Sequence, residues 1–257
     1  MNRIRLLPSH LIDQIAAGEV IERPASALKE LVENALDAGA TQIIIDITDG
    51  GVSSISVSDN GCGMNAEELS LAAKRHATSK LSAANLFEIK SFGFRGEALP
   101  SIAAVSDLQI SSRIETLEHG WKIRIEHGDI YAPEPVACAV GTTVSVRDLF
   151  DKIPARRKFL KTQRTESGQC LEVVKQLAMA TPDVSFIFTD TGKTLLNLPA
   201  RTDENSAIRD RLSDVMGHVF AKEAVMLDAQ KDTCSLLGLM GLPTMNRPTT
   251  QYMNIFV

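Results

Sequence analysis

The sequence predicts an α+β fold, a sandwich in which a mixed and mostly antiparallel sheet carries helices on one face. Helical and strand patterns are intermixed along the chain without the regular βαβ alternation of a parallel sheet. Strand patterns also recur as neighbours joined by turn residues, as in Gln42–Thr48 and Val52–Asp59 around Asp49-Gly50-Gly51. The length of 257 residues, finally, exceeds a typical single domain. Polar, turn-rich Pro199–Asn205 supplies the boundary. Residues 1–200 are expected to form the main domain, and residues 201–257 the start of a second, small α/β domain.

Taken in order, Pro8–Ala17 reads as a short helix closed by Gly18. Pro24 then opens a second helix that Gly39 closes, proline fitting the first turn and glycine the residue past the last. Asn65–Lys74 is helical in pattern, and a polar, glycine-containing stretch over 76–96 precedes a helix that begins near Glu97. Pro100 fits that helix only within its first turn, where a missing N–H loses no bond. Further strands are expected at Trp121–Glu126, Asp129–Pro133 and Thr142–Val146, a helix at Glu166–Ala180, and a hairpin across Asp190-Thr191-Gly192. Ala207–Met216 starts another helix, with strands after it. Gln251–Val257 reads as a strand that stops without a turn or polar tail, which suggests a piece of a longer chain. There is no internal repeat.

Hydrophobic residues at 44% and charged residues at 23% are the proportions of a soluble globular protein able to bury a sizeable core. The net charge of -5 argues against a generally basic nucleic-acid coat, so contact with DNA would need a local patch. The densest basic cluster is Arg156, Arg157, Lys158 and Lys161, which could meet phosphates or be a solvated face. Apolar runs are too short for a membrane span, and the first residues carry no signal-type segment, so a cytoplasmic location and no membrane partner are expected. Cys62, Cys138, Cys170 and Cys234 are scattered without zinc-ligand spacing, which favours reduced thiols.

The most informative stretch is Lys29 to Gly39. On a helix, Leu28, Leu31, Val32, Ala35 and Leu36 fall on one side, with Glu30, Glu33, Asn34 and Asp37 opposite. A solvated acidic face would place Lys or Arg four residues after Glu30, yet that residue is Asn34. A side-chain amide oxygen can ligate Mg²⁺ without adding a charge that repels phosphates, and a carboxylate one turn earlier can take a proton from water. An ordinary acidic amphipathic helix is the competing reading. Asp59-Asn60-Gly61-Cys62-Gly63-Met64 follows a strand; its glycines let backbone pass close to a flat ligand, and its Asp suits an exocyclic amine, though the same residues also make a plain turn. Gly93 to Leu99 combines glycines, Arg95 and a helix start, a pattern that favours anions, and Thr78-Ser79-Lys80 adds hydroxyls and a cation. Gly192-Lys193-Thr194 only imitates the end of a P-loop, because Ile187 stands five residues before Gly192.

Together with Gln14 to Pro24, Glu30 to Ala40, Arg75 to Lys80 and Pro154 to Leu160, these motifs resemble the GHKL ATPase superfamily and, within it, the MutL mismatch-repair family, over nearly the whole chain. The resemblance implies a Bergerat-type ATP-binding sandwich, with ATP and Mg²⁺ as cofactors and a second domain of the ribosomal-protein-like transducer type. It assigns Glu30 as general base, Asn34 as the Mg²⁺ ligand and Asp59 as the adenine reader, with Gly61, Gly63 and Met64 shaping the pocket and Thr143 supporting it. Thr78, Ser79, Lys80, Gly93, Phe94, Arg95, Gly96, Glu97, Ala98 and Leu99 would form the lid and phosphate loop. Residues Gln14 to Val20 would order with nucleotide and help two chains associate.

The implied function is an ATP-hydrolysing switch of DNA mismatch repair that closes as a homodimer on ATP. It would bind DNA and pass a signal from the mismatch-recognition protein MutS to a nuclease or helicase in the bacterial cytosol or nucleoid. The sequence departs from the family pattern at Asp151-Lys152-Ile153, where an Asn-Thr pair is usual, and at Pro100, where a small residue is usual. The family's γ-phosphate lysine lies in the second domain beyond Val257, so turnover by these residues alone is expected to fall sharply. Two alternatives are a nucleotide-binding scaffold without meaningful hydrolysis and another GHKL enzyme such as a topoisomerase subunit.

Overall fold

The structure, a computed structural model, describes residues 8, 17–18, 20–75, 77–78, 93, 96–126, 128–203, 206–232, 234–245 and 253–256. Ala17, Gly18 and Val20 are helical and the Ile21 N–H donates to the Ala17 carbonyl at 2.7 Å, so Gly18 lies inside a helical turn rather than past its end. Helix α1 (Pro24–Asp37) has Pro24 in its first turn and ends where Gly39 takes φ +73 and donates to the Leu36 carbonyl. Its apolar stripe of Ala27, Leu28, Leu31, Val32 and Ala35 is buried.

Strands β1 (Gln42–Thr48) and β2 (Ser54–Asp59) pair antiparallel across a 3-10 turn at Asp49–Gly51. Helix α2 (Ala66–Ala72) starts with a capping box, in which Asn65 accepts from the Glu67 and Glu68 N–H groups and the Glu68 carboxylate accepts from the Asn65 N–H. Helix α3 (Ala98–Ala104) has Pro100 third in its first turn, as expected. Strands β3 (Asp107–Arg113), β4 (Gly120–Glu126), β5 (Asp129–Ile130), β6 (Glu134–Val136) and β7 (Gly141–Arg147) follow, then helices α4 (Pro154–Arg157) and α5 (Gln163–Ala180), and the hairpin β8 (Ser185–Asp190) and β9 (Lys193–Leu198).

These strands make one sheet in the order β5-β4-β3-β7-β2-β1-β8-β9, with β6 on the end of β4. Only β1 with β8 is parallel among the described pairs, so the sheet is mixed and mostly antiparallel, as expected. Ile43, Ile45 and Ile47 of β1 and Ile55 and Val57 of β2 are buried, whereas their alternate neighbours are not. The buried face is covered by α1, α3 and α5, which gives the two-layer sandwich. At roughly 1.5–3 kcal/mol for each fully buried large apolar side chain, this shared layer is what holds α1 in place.

The pattern predicted neither β3 nor the short β6. In β3 only Leu108 and Ile110 supply apolar alternation, with Ser111 and Ser112 where further strand formers are expected. Asp129–Pro133 shrinks to the two residues of β5, and Met253–Phe256 are not in a strand.

Beyond β9 come α6 (Ala207–Met216), α7 (His218–Lys222) and a separate two-stranded sheet of β10 (Ala224–Lys231) and β11 (Cys234–Gly241). Arg211 of α6 is fully buried; its Nη2 lies 2.8, 2.7 and 2.9 Å from the Pro182, Val184 and Pro199 carbonyl oxygens. Burial pulls its pKa below the ordinary value, partly opposed by the charge of Asp214. Desolvating the guanidinium is costly, and its Nε and Nη1 find no partner among the described residues, but removing it strands the Val184 and Pro199 carbonyls, while the Pro182 carbonyl keeps the Arg201 N–H at 2.7 Å. Arg211→Met should therefore lower unfolding free energy by about 2 kcal/mol in a urea titration, and a loss below about 0.5 kcal/mol would contradict this accounting.

Candidate functional site

The oxygens of α1 reduce to a narrower set than the sequence suggested. Glu30, Asn34 and Asp37 are half-buried at spacings of four and three, on one line of the helix. Glu33 departs from that face: it is buried, and Lys29 covers it with an ion pair at 2.6 Å. Asp37 extends the line towards the later loop, accepting from the Gly93 N–H at 3.3 Å.

The loop after β2 is fixed to the end of α1. The Cys62 N–H donates to the Ala38 carbonyl at 3.0 Å, and the Asn60 Oδ1 accepts from the Thr41 and Gln42 N–H groups at 2.9 Å each. One glycine makes this approach possible and a second lets the loop pass against β3. A Cβ on Gly61 would lie 2.8 Å from the Ala38 carbonyl oxygen, and one on Gly63, at φ +71, would overlap the Arg113 carbonyl. The Met64 N–H donates to the Ser112 Oγ at 2.8 Å, and the Met64 side chain packs partly against the core.

Asp59, the last residue of β2, is held from both sides. Its Oδ1 accepts from the Gly61 N–H at 2.8 Å and the Thr142 N–H at 3.3 Å. Its Oδ2 has no hydrogen bond among the described residues, which leaves an acceptor available to a ligand. Burial raises the Asp59 pKa, and the two N–H bonds oppose that rise.

Thr143 does not support this carboxylate. The register pairs Asp59 with Thr142 and Ser58 with Thr143, and the Thr143 Oγ1 meets the Ser58 Oγ at 2.9 Å on the other face of the sheet. Thr142 is the threonine beside Asp59. The sequence offered adjacent threonines, and only the pairing of β2 with β7 separates them.

Gly96, at φ +62, is fixed by closeness, since a Cβ there would overlap the Ala77 carbonyl; this brings the 77–78 segment, and so exposed Thr78, to the start of α3. Glu97 precedes the helix without a side-chain cap bond, and Leu99 packs against the core while Ala98 opens the first turn. Ser79, Lys80, Phe94 and Arg95 lie outside the described residues.

The basic cluster divides. Arg156 turns inward, its Nη1 donating to the Ile21 carbonyl at 3.1 Å and its guanidinium filling the place a Cβ on Gly18 would take. Arg157 pairs with Asp151 at 2.6 Å, while Lys158 and Lys161 are exposed beside Phe159. One cleft beside α5, lined by Arg23, Gln169 and Glu172, and another between α1, α5 and residues 253–256 contain none of the predicted site residues.

The chain as a whole is similar to known proteins. A family described as histidine kinase-, DNA gyrase B- and HSP90-like ATPase matches residues 21–133. The chain is 49% identical over 255 residues to the DNA mismatch repair protein MutL of Paramagnetospirillum magneticum, covering 99% of this chain and 42% of that protein. It is 47% identical to the MutL of Rhizorhabdus wittichii, again over 99% of this chain and 42% of that one, so it spans about two fifths of the length of these relatives. Among solved structures, the Aquifex aeolicus MutL ATPase domain complexed with ADP superposes with a TM-score of 0.65 at 33% identity, covering 82% of this chain and 73% of that one.

The raised pKa of Asp59 makes a stability prediction. Folding favours its protonated form, so the stability it contributes is full below the unfolded-state value and is lost as pH rises through the folded-state value. Asp59→Asn is neutral throughout and keeps the Oδ1 acceptor. It should raise Tm relative to the parent near pH 7, the difference shrinking towards pH 4; a lower Tm for Asn at pH 7 would mean that the carboxylate's bonds outweigh its desolvation.

Proposed function

The chain belongs to the MutL family of DNA mismatch repair proteins, within its ATPase region, and we propose from this that it is an ATP-binding and ATP-hydrolysing switch of mismatch repair. The observation that carries the reading is the spacing of Glu30 and Asn34, one turn apart, on a helix whose end is bonded to the loop that follows Asp59. A water activator, a neutral oxygen ligand and a base acceptor thereby sit on one rigid support, which is what phosphoryl transfer by positioning requires.

In this reading Asp59 accepts from the exocyclic amine of adenine through Oδ2, and Gly61, Gly63 and Met64 let the backbone pass beside the base. Glu30 takes the proton of the attacking water. Asn34 suits Mg²⁺ because it adds an oxygen without charge, and among the described residues no three His, Cys, Asp or Glu side chains gather round a metal. When bound, the ion would neutralise charge on the phosphate oxygens. Thr78, Ser79, Lys80 and residues Gly93 to Leu99 would form the lid and phosphate loop, with Asp37 of α1 holding Gly93 and Gly96 lying close against Ala77.

The finer roles follow the family. ATP closes two copies into a homodimer through residues that include Gln14 to Val20, MutS supplies the upstream signal, and a nuclease or helicase receives it. Residues 201–257 begin a second domain. Exposed Lys158 and Lys161, rather than inward-facing Arg156, meet DNA phosphates. Family membership sets aside the topoisomerase alternative.

Glu30→Ala separates the switch from the non-hydrolysing scaffold. Turnover should drop at least about a hundredfold while ATP affinity, read by equilibrium titration, stays within about threefold. Unchanged turnover would favour the scaffold. Reversing Lys158 and Lys161 to Glu should flatten the salt dependence of duplex binding by nearly two units of log–log slope; an unaltered slope would remove these lysines from the DNA contact.

A further inference from the structure

The hydroxyl of Ser112 has no part in the roles above, yet it is the junction of the base site. Ser112 lies on β3 and is fully buried. Its Oγ stands 2.8 Å from the Met64 N, 3.0 Å from the Gly141 carbonyl oxygen and 2.9 Å from the Thr142 Oγ1. A serine hydroxyl has one proton and two lone pairs. The Met64 N–H can only donate and the Gly141 carbonyl can only accept, so the serine proton goes to Gly141, and an opposed pair of oxygens at that distance would be repulsive. The Thr142 hydroxyl must then donate to Ser112, and the hydrogen-bonding capacity of Ser112 is full.

This fixes what Thr142 can offer a ligand. Its N–H is already on the Asp59 Oδ1 and its hydroxyl proton is on Ser112, so towards the site its oxygen presents lone pairs alone. Asp59 presents lone pairs as well. We propose that Ser112 is a positioning residue that orients the Thr142 hydroxyl as an acceptor, so that the pocket selects a purine bearing an amino group over one bearing a carbonyl at the same edge. The proposal rests on the reading of Asp59 as the base acceptor. A freely rotating Thr142 hydroxyl could donate to a carbonyl and would blur the choice, whereas one held by Ser112 leaves a carbonyl facing only acceptors.

The test compares ATP with GTP binding to the 257-residue chain by equilibrium titration. Ser112→Ala should narrow the preference for ATP about tenfold, chiefly by improving GTP binding, with Tm followed in parallel. Adding Thr142→Val to Ser112→Ala should change the preference less than Thr142→Val does in the parent, because the two hydroxyls act as one unit. Ser112→Cys, nearly isosteric and a weaker donor and acceptor, should fall between parent and Ala, and it carries the test if Ser112→Ala does not fold. Ser112→Ala or Ser112→Cys that weakens both nucleotides by the same factor, or neither, overturns the proposal. Asp59→Ala distinguishes the two failures: if it spares the ATP preference, the base-site reading itself fails, and if it abolishes that preference while the Ser112 variants keep it, only the role of Ser112 falls.

Discussion

The constraint on which the molecule depends is the junction between the last turn of α1 and the loop that follows β2. Helix α1 carries Glu30 and Asn34, and the strand end carries Asp59, so neither group can serve a common ligand unless these elements are fixed to each other. The fixing is done by one backbone bond, Cys62 N–H to the Ala38 carbonyl, and by the Asn60 side chain, which accepts from the Thr41 and Gln42 N–H groups. Such bonds need close approach, which Gly61 permits beside Ala38, while Gly63 lets the same loop pass against Arg113 of β3. The buried stripe of α1 then transmits the rigidity of the sheet to the whole arrangement.

Holding an ionised acceptor inside this junction costs stability. Burial raises the Asp59 pKa, and two backbone N–H groups recover only part of the loss, so ionising this group costs more in the folded state than in the unfolded chain. Function needs it ionised if it is to accept from an amine. The fold tolerates the conflict because Asp59 ends a strand whose other residues pair on both sides, with β1 and with β7, and cannot drift away from the unfavourable position. Glu33, buried on the neighbouring face of α1, is instead covered by its ion pair with Lys29.

What was legible in the sequence was whatever local period or turn chemistry determines. The α1 stripe, the proline and glycine at its ends, the first-turn position of Pro100 and the β8–β9 hairpin all follow from neighbours in the chain. What escaped depends on pairing between distant segments. Strand β3 looks weak alone and is secured by β4 and β7, and Thr142 is distinguished from Thr143 only by register, where one residue exchanges the faces. Glu33 likewise reads as part of the oxygen face until Lys29 is seen to cover it. The placement of Glu30 and Asn34 on a helix and of Asp59 at a strand end was legible; the bonds of Gly61 and Thr142 to Asp59, and of Ser112 to Met64, Gly141 and Thr142, were not.

The basic segment shows the same division between charge and placement. Composition groups Arg156 with Arg157, Lys158 and Lys161, yet a guanidinium bonded to the Ile21 carbonyl and in contact with Gly18 acts on the protein's own N-terminal turn. That turn leads directly into α1 through Arg23, which in turn reaches Glu166 and Gln169 of α5. Arg156 therefore links α4 to the entrance of the helix that carries the candidate catalytic face. A cation here serves the geometry of α1, because the carbonyl it satisfies lies just before a helix start, where no regular ladder bond is available to it.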